Sequence, residues 1–333
     1  MKWFAITLAL STAACRAGQV GAGQRPADQP QLAALFGRLP AAMTATDDPA
    51  TPARIALGRM LYYDARLSLD NTVSCNSCHL LDAYGVDQRP TSPGVNKQLG
   101  ARNSPTVFNA AGHVAQFWDG RAPTVEEQAK GPILNPVEMA MPSAAAVTDR
   151  LEGLPGYSAA FAAAFPDDAE PLSYDNVGRA IGAFERGLVT PSRWDAYLGG
   201  DPAALTPAEQ EGLATFVGAS CTACHRGVYV GGDMFQKAGL LEPWPQQGDT
   251  GRYAVTRHRG DRFVFKVPSL RNVEQTAPYF HDGQVAALPE AVRWMARYQL
   301  GRDLRDTEVD AIVTWLRSLT GTIPREYIKP PEW

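Results

Sequence analysis

Cysteine and histidine are scarce in this sequence, with five of each in 333 residues. Four of the cysteines belong to two short motifs, which leaves only Cys15 and excludes a disulfide framework. Beyond the N-terminus, no stretch reaches about 18 uninterrupted apolar residues, so no later transmembrane helix is predicted. The formal net charge is −4 and no basic stripe occurs, which argues against a nucleic-acid partner.

The overall composition is that of an ordinary globular protein. Apolar residues make up 45% of the chain and charged residues 20%, which is typical of soluble domains. The length is sufficient for two domains of common size.

Two copies of the pattern Cys-x-x-Cys-His are the most specific feature of the chain. They comprise Cys75, Cys78 and His79, and then Cys221, Cys224 and His225. In this pattern each thiol adds to a vinyl group of a haem and the histidine becomes the proximal iron ligand, so two covalently bound haem c groups are predicted. One zinc site built from both cysteine pairs is the alternative, but zinc ribbons usually separate their pairs by about 15–20 residues.

The N-terminus, residues 1–15, has the pattern of an export signal. Lys2 precedes a run of apolar or small residues that is too short to span a bilayer as a helix. Thr12–Cys15 is a loose lipobox, so cleavage before Cys15 would leave a lipid-anchored cysteine, and ordinary cleavage a few residues later is the alternative. Either route predicts a periplasmic protein, which agrees with the attachment of c-type haem outside the bacterial cytoplasm.

A helix followed by a Cys-x-x-Cys-His motif occurs twice, which suggests two related haem domains. The first helix begins at Thr51-Pro52, and the second begins with a capping box at Thr206. The predicted organisation is a tether over 16–45, an N-terminal haem domain over 46–190 and a C-terminal haem domain over 191–333.

Apolar periodicity places most of the remaining elements. Helices are predicted at 31–38, 124–130, 143–151, 157–165, 174–188 and 306–319, and a strand at 262–267. The long Gly-rich stretch between the second motif and this strand is typical of a loop that wraps a cofactor. We therefore expect a mainly α fold of two cytochrome-c-like haem domains packed together, with long irregular loops.

The second axial ligand of each iron separates electron transfer from catalysis. A haem with two protein ligands transfers electrons, whereas an open position can bind peroxide or oxygen. Outside the motifs, the chain offers His113, His258 and His281 together with seven methionines.

Five segments resemble the bacterial di-haem cytochrome c peroxidases. They are Leu57–Tyr63, Arg102–Asn109, Gln116–Ala122, Glu127–Pro132 and Thr276–Gly283. The resemblance implies reduction of hydrogen peroxide with electrons from a small c-type cytochrome or another periplasmic donor, and it implies a homodimer.

The resemblance also implies unequal haems. The haem of His79 would be the low-potential peroxidatic centre, and the haem of His225 the high-potential centre that accepts electrons. Met295 stands where the family places the axial methionine of the latter, and a thioether ligand raises haem potential. Trp118 occupies the family position between the haems, where an indole shortens the electron-tunnelling path.

Glu138 matches the distal carboxylate of the family. A carboxylate in a mostly apolar pocket can take a proton from peroxide and return it to the leaving oxygen. Gln128 and Pro132 are expected to shape the same pocket.

Three further residues match the inter-domain calcium site of the family, namely Asn103, Thr276 and Pro278. Calcium accepts side-chain and carbonyl oxygens of this kind. Only the resemblance points to calcium here, because no carboxylate cluster marks the site.

The loop 91–100 departs from the family pattern. In most members, a histidine in this loop caps the oxidised peroxidatic iron, whereas this chain has Val95 there. Valine cannot ligate iron, so we expect an open or water-bound peroxidatic haem that needs no reductive activation. Lys97 and His113 are the alternative ligands.

The missing histidine also raises a second function. MauG-type di-haem oxidases lack it as well and oxidise residues of a partner protein, although their second haem carries a tyrosine where Met295 stands here. A non-enzymatic di-haem electron carrier is the third hypothesis.

Overall fold

The computed structural model describes Leu32, residues 34–45 and residues 48–332. The predicted export signal, Cys15 and most of the predicted tether lie outside these residues. In the described part the protein is mostly helical, as predicted from the sequence. No helix in this part is both long and apolar enough to cross a membrane.

The first half of the chain contains six helices in its described part. They are α1 (Pro52–Tyr63), α2 (Cys75–Cys78), α3 (Val125–Leu134), α4 (Ala144–Glu152), α5 (Tyr157–Ala164) and α6 (Tyr174–Glu185). Thr51 caps α1 by accepting a hydrogen bond from the backbone N–H of Arg54. Helix α6 packs against both α1 and α3.

The second half contributes five helices and two short strands to the described residues. These are α7 (Arg193–Leu198), α8 (Pro207–Gly218), α9 (Tyr253–Thr256), α10 (Leu288–Trp294) and α11 (Asp306–Arg317), with β1 (Phe235–Lys237) and β2 (Val264–Lys266). The capping box at Thr206 is present, because Thr206 and Glu209 each bond to the other's backbone N–H. Helix α8 packs against α11, and β1 and β2 pair antiparallel with Phe235 opposite Lys266.

Shorter turns connect these elements. The 3₁₀ turns are Ala65–Leu67, Leu81–Ala83, Val95–Lys97, Ala110–Gly112, Pro202–Ala204, Cys221–Ala223, Arg259–Asp261 and Val273–Gln275, and a π-helical turn, Met295–Gln299, follows α10. The predicted helix at 124–130 continues through Pro132 to Leu134, although a proline inside a helix removes one backbone hydrogen bond and crowds the preceding turn. The predicted helix at 174–188 ends earlier, at Glu185, where the chain turns.

The helices that precede the two motifs are packed in the same manner. A Cβ atom on Gly58 of α1 would lie 1.8 Å from the carbonyl oxygen of Ala180 in α6. A Cβ atom on Gly212 of α8 would lie 2.0 Å from the carbonyl oxygen of Ala311 in α11. In both halves, a glycine therefore allows close contact between the helix before the motif and a later helix.

Buried apolar side chains form two clusters. One draws on residues from Leu57 to Leu188, and Cys75 packs against it; the other draws on residues from Trp194 to Leu319, and Cys221 packs against it. The chain ends cross over, because Ile323 and Ile328 join the first cluster while Leu32 and Phe36 join the second. Leu32 and Phe36 thus belong to a core although they fall in the segment predicted as a tether. The domain boundaries themselves stay a prediction.

Candidate active site

A cavity of about 960 Å³ connects the two Cys-x-x-Cys-His motifs. Both cysteines and the histidine of each motif lie on its wall. The other residues singled out in the sequence also line it, namely Asn103, Trp118, Gln128, Glu138, Thr276, Pro278 and Met295. The fold therefore collects residues from most of the chain into one continuous site.

Each motif forms a single helical turn. The backbone N–H of His79 donates to the carbonyl of Cys75 at 3.0 Å, and that of His225 donates to the carbonyl of Cys221 at 2.9 Å. Tyr62 of α1 holds the first turn by donating its hydroxyl to the carbonyl of His79 at 2.8 Å. Two thiols and one imidazole are thereby presented together, as covalent haem attachment requires.

The two motif histidines are half-buried, and their Nδ1 atoms are buried without a hydrogen-bond partner of ordinary geometry. Burial lowers the pKa of both, that of His225 to about 4, although nearby backbone groups of Pro105 and Pro268 oppose the shift. Both imidazoles are therefore neutral near pH 7, which is the form that binds a metal ion. Because the two motifs pack against different clusters, they form two sites rather than one shared zinc site.

No disulfide joins the four motif cysteines, so each pair of thiols can react with a haem. Burial raises the pKa of each, to about 11 for Cys78 and Cys221, so all are protonated at neutral pH. Paired thiols, a neutral histidine and a large, mostly apolar cavity fit a covalently held haem at each motif.

Glu138 lies on the cavity wall after α3, close to the residues expected to shape its pocket. Burial raises the pKa of its carboxyl, while the positive charge of Arg121 and the side chain of Asn135 act in the opposite direction. Gln128 and Pro132, both on α3, line the same cavity. The site therefore contains a half-buried carboxyl group with a proton affinity above the usual range.

A smaller cavity of about 270 Å³ adjoins this region. Arg121, Asn135 and Glu138 line both cavities, and Glu127 lines the smaller one. The Arg121 guanidinium stacks 3.4 Å from the ring centre of Phe117 and bonds Asp119 at 3.0 Å. Sequence reasoning missed Arg121 and Asn135, although Arg121 falls within a segment that resembles the peroxidases.

The loop that lacks the capping histidine is held against Glu138. Val95 is 1% exposed, and its backbone N–H donates to the carbonyl of Glu138 at 2.8 Å. Lys97 is exposed and is not on the cavity wall, whereas His113 is on the wall. The ring of His113 contacts Lys266 and Tyr229 in the second half of the chain.

Trp118 links the two halves. Its indole Nε1 donates to the carbonyl of Asn103 at 2.9 Å, and its own carbonyl accepts from the N–H of Lys266 at 2.8 Å. Its ring centre lies 6.3 Å from that of His281. The indole is therefore held by a hydrogen bond where the two halves of the chain meet, and its position between two haems stays a prediction.

The three residues expected to bind calcium lie near this junction. Asn103 is buried, donates its side-chain amide to the carbonyl of Arg89 at 2.8 Å and its backbone N–H to the carbonyl of His281 at 2.8 Å. The Thr276 hydroxyl donates to the carbonyl of Val273 at 3.4 Å, and Pro278 follows a cis peptide bond. Within the described residues, no group of three or more His, Cys, Asp or Glu side chains is arranged to hold a metal ion.

An ion-pair bridge that the sequence did not reveal crosses the same junction. Arg102 bonds Asp119 at 2.6 Å and Asp249 at 2.6 and 2.8 Å. These side chains are mostly buried, with relative exposures of 18%, 6% and 25%. The bridge ties the loop before β2 to the first half of the chain.

Met295 begins the π-helical turn after α10 and lies on the cavity wall. Helical turns of this kind occur frequently at functional sites. The structure therefore brings the predicted methionine ligand to the cavity that contains His225.

Comparisons with known proteins agree with this arrangement. The family model described as di-haem cytochrome c peroxidase matches residues 52–203. The chain is 45% identical to cytochrome c551 peroxidase of Pseudomonas aeruginosa, over 89% of this chain and 87% of that protein. It is 43% identical to cytochrome c551 peroxidase of Nitrosomonas europaea, over 88% of this chain and 90% of that protein.

A solved structure also matches the fold. A MauG-like protein associated with microbial copper homeostasis superimposes with a TM-score of 0.78 at 31% identity, over 89% of this chain and 98% of that one. The identity and coverage of the curated relatives show what the motifs indicated: the chain belongs to the di-haem cytochrome c peroxidase family.

Proposed function

We propose that this protein reduces hydrogen peroxide to water in the periplasm with electrons from a small c-type cytochrome. The observation that supports this most directly is the single cavity that contains both haem-attachment motifs and the half-buried carboxyl of Glu138. The names of the two cytochrome c551 peroxidases, similar over most of their length, point to the same activity.

The chain provides two separate sets of residues, one for each haem. Cys75, Cys78 and His79 would hold one haem, and Cys221, Cys224, His225 and Met295 would hold the other. When bound, the haems supply one-electron redox chemistry and, at an open iron position, peroxide cleavage.

Glu138 acts as the proton-transfer group at the peroxide site. Its carboxylate would take a proton from one peroxide oxygen and return it to the other, which would then leave as water. Its raised pKa makes the ionised form a better base, while the positive charge of Arg121 favours the ionised form. Gln128 and Pro132 limit the space around this carboxyl.

The substitution at Val95 leaves the peroxide site ready without prior reduction. The valine side chain is packed in the first cluster and has no atom that can ligate iron. Electron paramagnetic resonance of the fully oxidised holoprotein tests this point. A high-spin signal from one haem is expected, and two low-spin haems without a high-spin signal would contradict it.

Trp118 and a calcium ion organise the junction between the haem sites. The indole, held by its hydrogen bond to the carbonyl of Asn103, shortens the path for electrons. Calcium would be held by oxygens of Asn103, Thr276 and Pro278, which are hard ligands of the kind it prefers. Metal analysis of the purified protein after dialysis against a chelator tests the calcium site.

A steady-state assay tests the function as a whole. Reduced small cytochrome c should be oxidised rapidly on addition of peroxide, and no turnover with any such cytochrome would refute the proposal. An electron carrier would exchange electrons with cytochrome but would not react with peroxide.

A MauG-type protein-oxidising activity is the second candidate. It is favoured by Val95 and by the fold similarity to a MauG-like protein. Met295 opposes it, because the resemblance to MauG-type oxidases implies a tyrosine there. Peroxide-dependent oxidation of side chains in a co-purified protein, without cytochrome turnover, would favour this alternative.

A further inference from the structure

Lys266 is a buried cation that has no acidic partner among the described residues. It lies on β2, and its side chain and backbone together are only 8% exposed. Burial lowers its pKa to about 8, and no carboxylate in the described part of the chain offsets this shift. The polar contact of its Nζ atom is Nδ1 of His113, at 3.2 Å.

His113 provides a second unused polar atom beside the lysine. Its Nε2 atom is buried and has no hydrogen-bond partner in the described structure. Burial and the charge of Lys266 lower its pKa well below the usual value, so the ring is neutral. If Nδ1 accepts a hydrogen bond from the Lys266 ammonium group, the hydrogen of the neutral ring is on Nε2, and both residues then have N–H groups to donate.

The pair lies next to the second haem motif. The backbone turn at Gly231 and Gly232 lies between His225 and His113. A Cβ atom on Gly231 would lie 3.2 Å from Nδ1 of His225, and a Cβ atom on Gly232 would lie 2.5 Å from Cδ2 of His113. Lys266 and His113 both line the large cavity.

A buried ammonium group without a counter-charge is costly, so an anion bound beside Lys266 and His113 would stabilise this site. Haem has two carboxylate groups at its edge, and the neighbouring motif holds a haem by family membership. We propose that Lys266 and His113 bind a carboxylate of the haem attached at Cys221 and Cys224. The lysine supplies charge and hydrogen bonds, and Nε2 of His113 supplies another donor.

This site has a consequence for the second haem that does not depend on peroxide turnover. A cation near the iron favours the reduced form, which carries one positive charge less. Replacing Lys266 should therefore lower the reduction potential of the haem at His225. It should also leave the edge of that porphyrin less firmly bound. The haem at His79 should change less.

Spectroelectrochemical titration of the holoprotein tests the proposal. We expect Lys266→Met to shift the second haem to lower potential, and Lys266→Arg, which keeps the charge, to shift it less. Lys237→Met is a matched control, because Lys237 is the exposed lysine of the paired strand β1. Equal potentials in Lys266→Met and Lys237→Met would overturn the proposal.

A second measurement needs no variant and so does not depend on the folding of Lys266→Met. Redox-induced infrared difference spectra would be compared for unlabelled haem and haem labelled with carbon-13 in its carboxylates. Label-sensitive bands of an ionised carboxylate, altered in His113→Asn, are expected. Spectra in which all label-sensitive carboxyl groups are protonated, or in which His113→Asn changes none of them, would refute the site. Neither readout involves peroxide, so failure of the proposed enzyme activity would be seen separately.

Discussion

Glu138 is the residue on which the proposed proton transfer depends. In Glu138→Gln the side chain keeps its size but can no longer accept and return a proton. We expect kcat/KM for peroxide to fall by about 10²–10⁴-fold, while covalent haem content and the optical spectrum of the second haem stay unchanged. Steady-state kinetics at several peroxide concentrations measure the effect, and a decrease of less than about threefold would contradict the assignment.

Arg121 should set the pH range in which Glu138 works. Its positive charge lowers the pKa of the Glu138 carboxyl, against the upward effect of burial. The carboxyl must be ionised to accept a proton, so kcat/KM rises as pH increases through this pKa. In Arg121→Gln the pKa rises, and the acidic limb of the profile should therefore move to higher pH. Arg305→Gln is the control, because Arg305 is exposed and its side chain pairs with the neighbouring Glu308.

Val95 allows a direct test of the open iron position. Val95→His places an imidazole where most of the family has its capping ligand, whereas Val95→Leu adds bulk without a donor atom. We expect the histidine variant, but not the leucine variant, to lose the high-spin signal of the oxidised protein and to require prior reduction for full activity. Electron paramagnetic resonance of the oxidised variants measures the high-spin signal. Peroxidase assays that compare oxidised with pre-reduced enzyme measure the need for prior reduction.

At the scale of the elements, the close contact of α1 with α6 positions the first motif. A methyl group on Gly58 would collide with the backbone of Ala180, so Gly58→Ala must push the helices apart at a cost of about 1–3 kcal/mol. Gly153→Ala is the matched control, because its new methyl group would meet atoms no closer than 3.5 Å. Thermal unfolding of both holoproteins should show a lower Tm for Gly58→Ala alone, and equal Tm values would show that the contact is easily relaxed.

The boundaries of these elements were largely readable in the sequence. Thr51-Pro52 and the Thr206 capping box begin helices where predicted, because a cap acts on backbone groups within the next turn. The end of α6 and the extension of α3 beyond Lys130 were predicted less well. Helix ends depend on tertiary packing as much as on the local residues.

At the scale of the whole molecule, Arg102 joins the halves through Asp119 and Asp249. Arg102→Met would leave Asp249 without its ion-pair partner in a mostly buried region, which costs roughly 1–3 kcal/mol, whereas Asp119 would keep its pair with Arg121. We expect a lower Tm than for Arg305→Met, which breaks an exposed pair. Burial raises the Asp249 pKa, but bonding to Arg102 outweighs it and leaves this pKa below the usual value. The contribution of this pair to stability should therefore be present above the ordinary aspartate pKa and be lost as pH falls through the lowered value. An unchanged Tm in Arg102→Met would show that the bridge is not needed.

The sequence by itself determined the two Cys-x-x-Cys-His motifs and the mainly helical fold, and its resemblance to a family predicted the residues of a distal pocket. This was possible because the two thiols and the histidine that attach a haem lie within one helical turn, so the motif is recognised from five consecutive residues. Only the tertiary structure decided that both motifs open into one cavity, that Arg102 crosses the junction, and that Lys266 meets His113 without an acidic partner in the described residues. Those contacts join residues that are far apart in the chain. Whether a charged side chain is buried depends on which distant elements pack around it, and the neighbouring residues in the sequence do not show this.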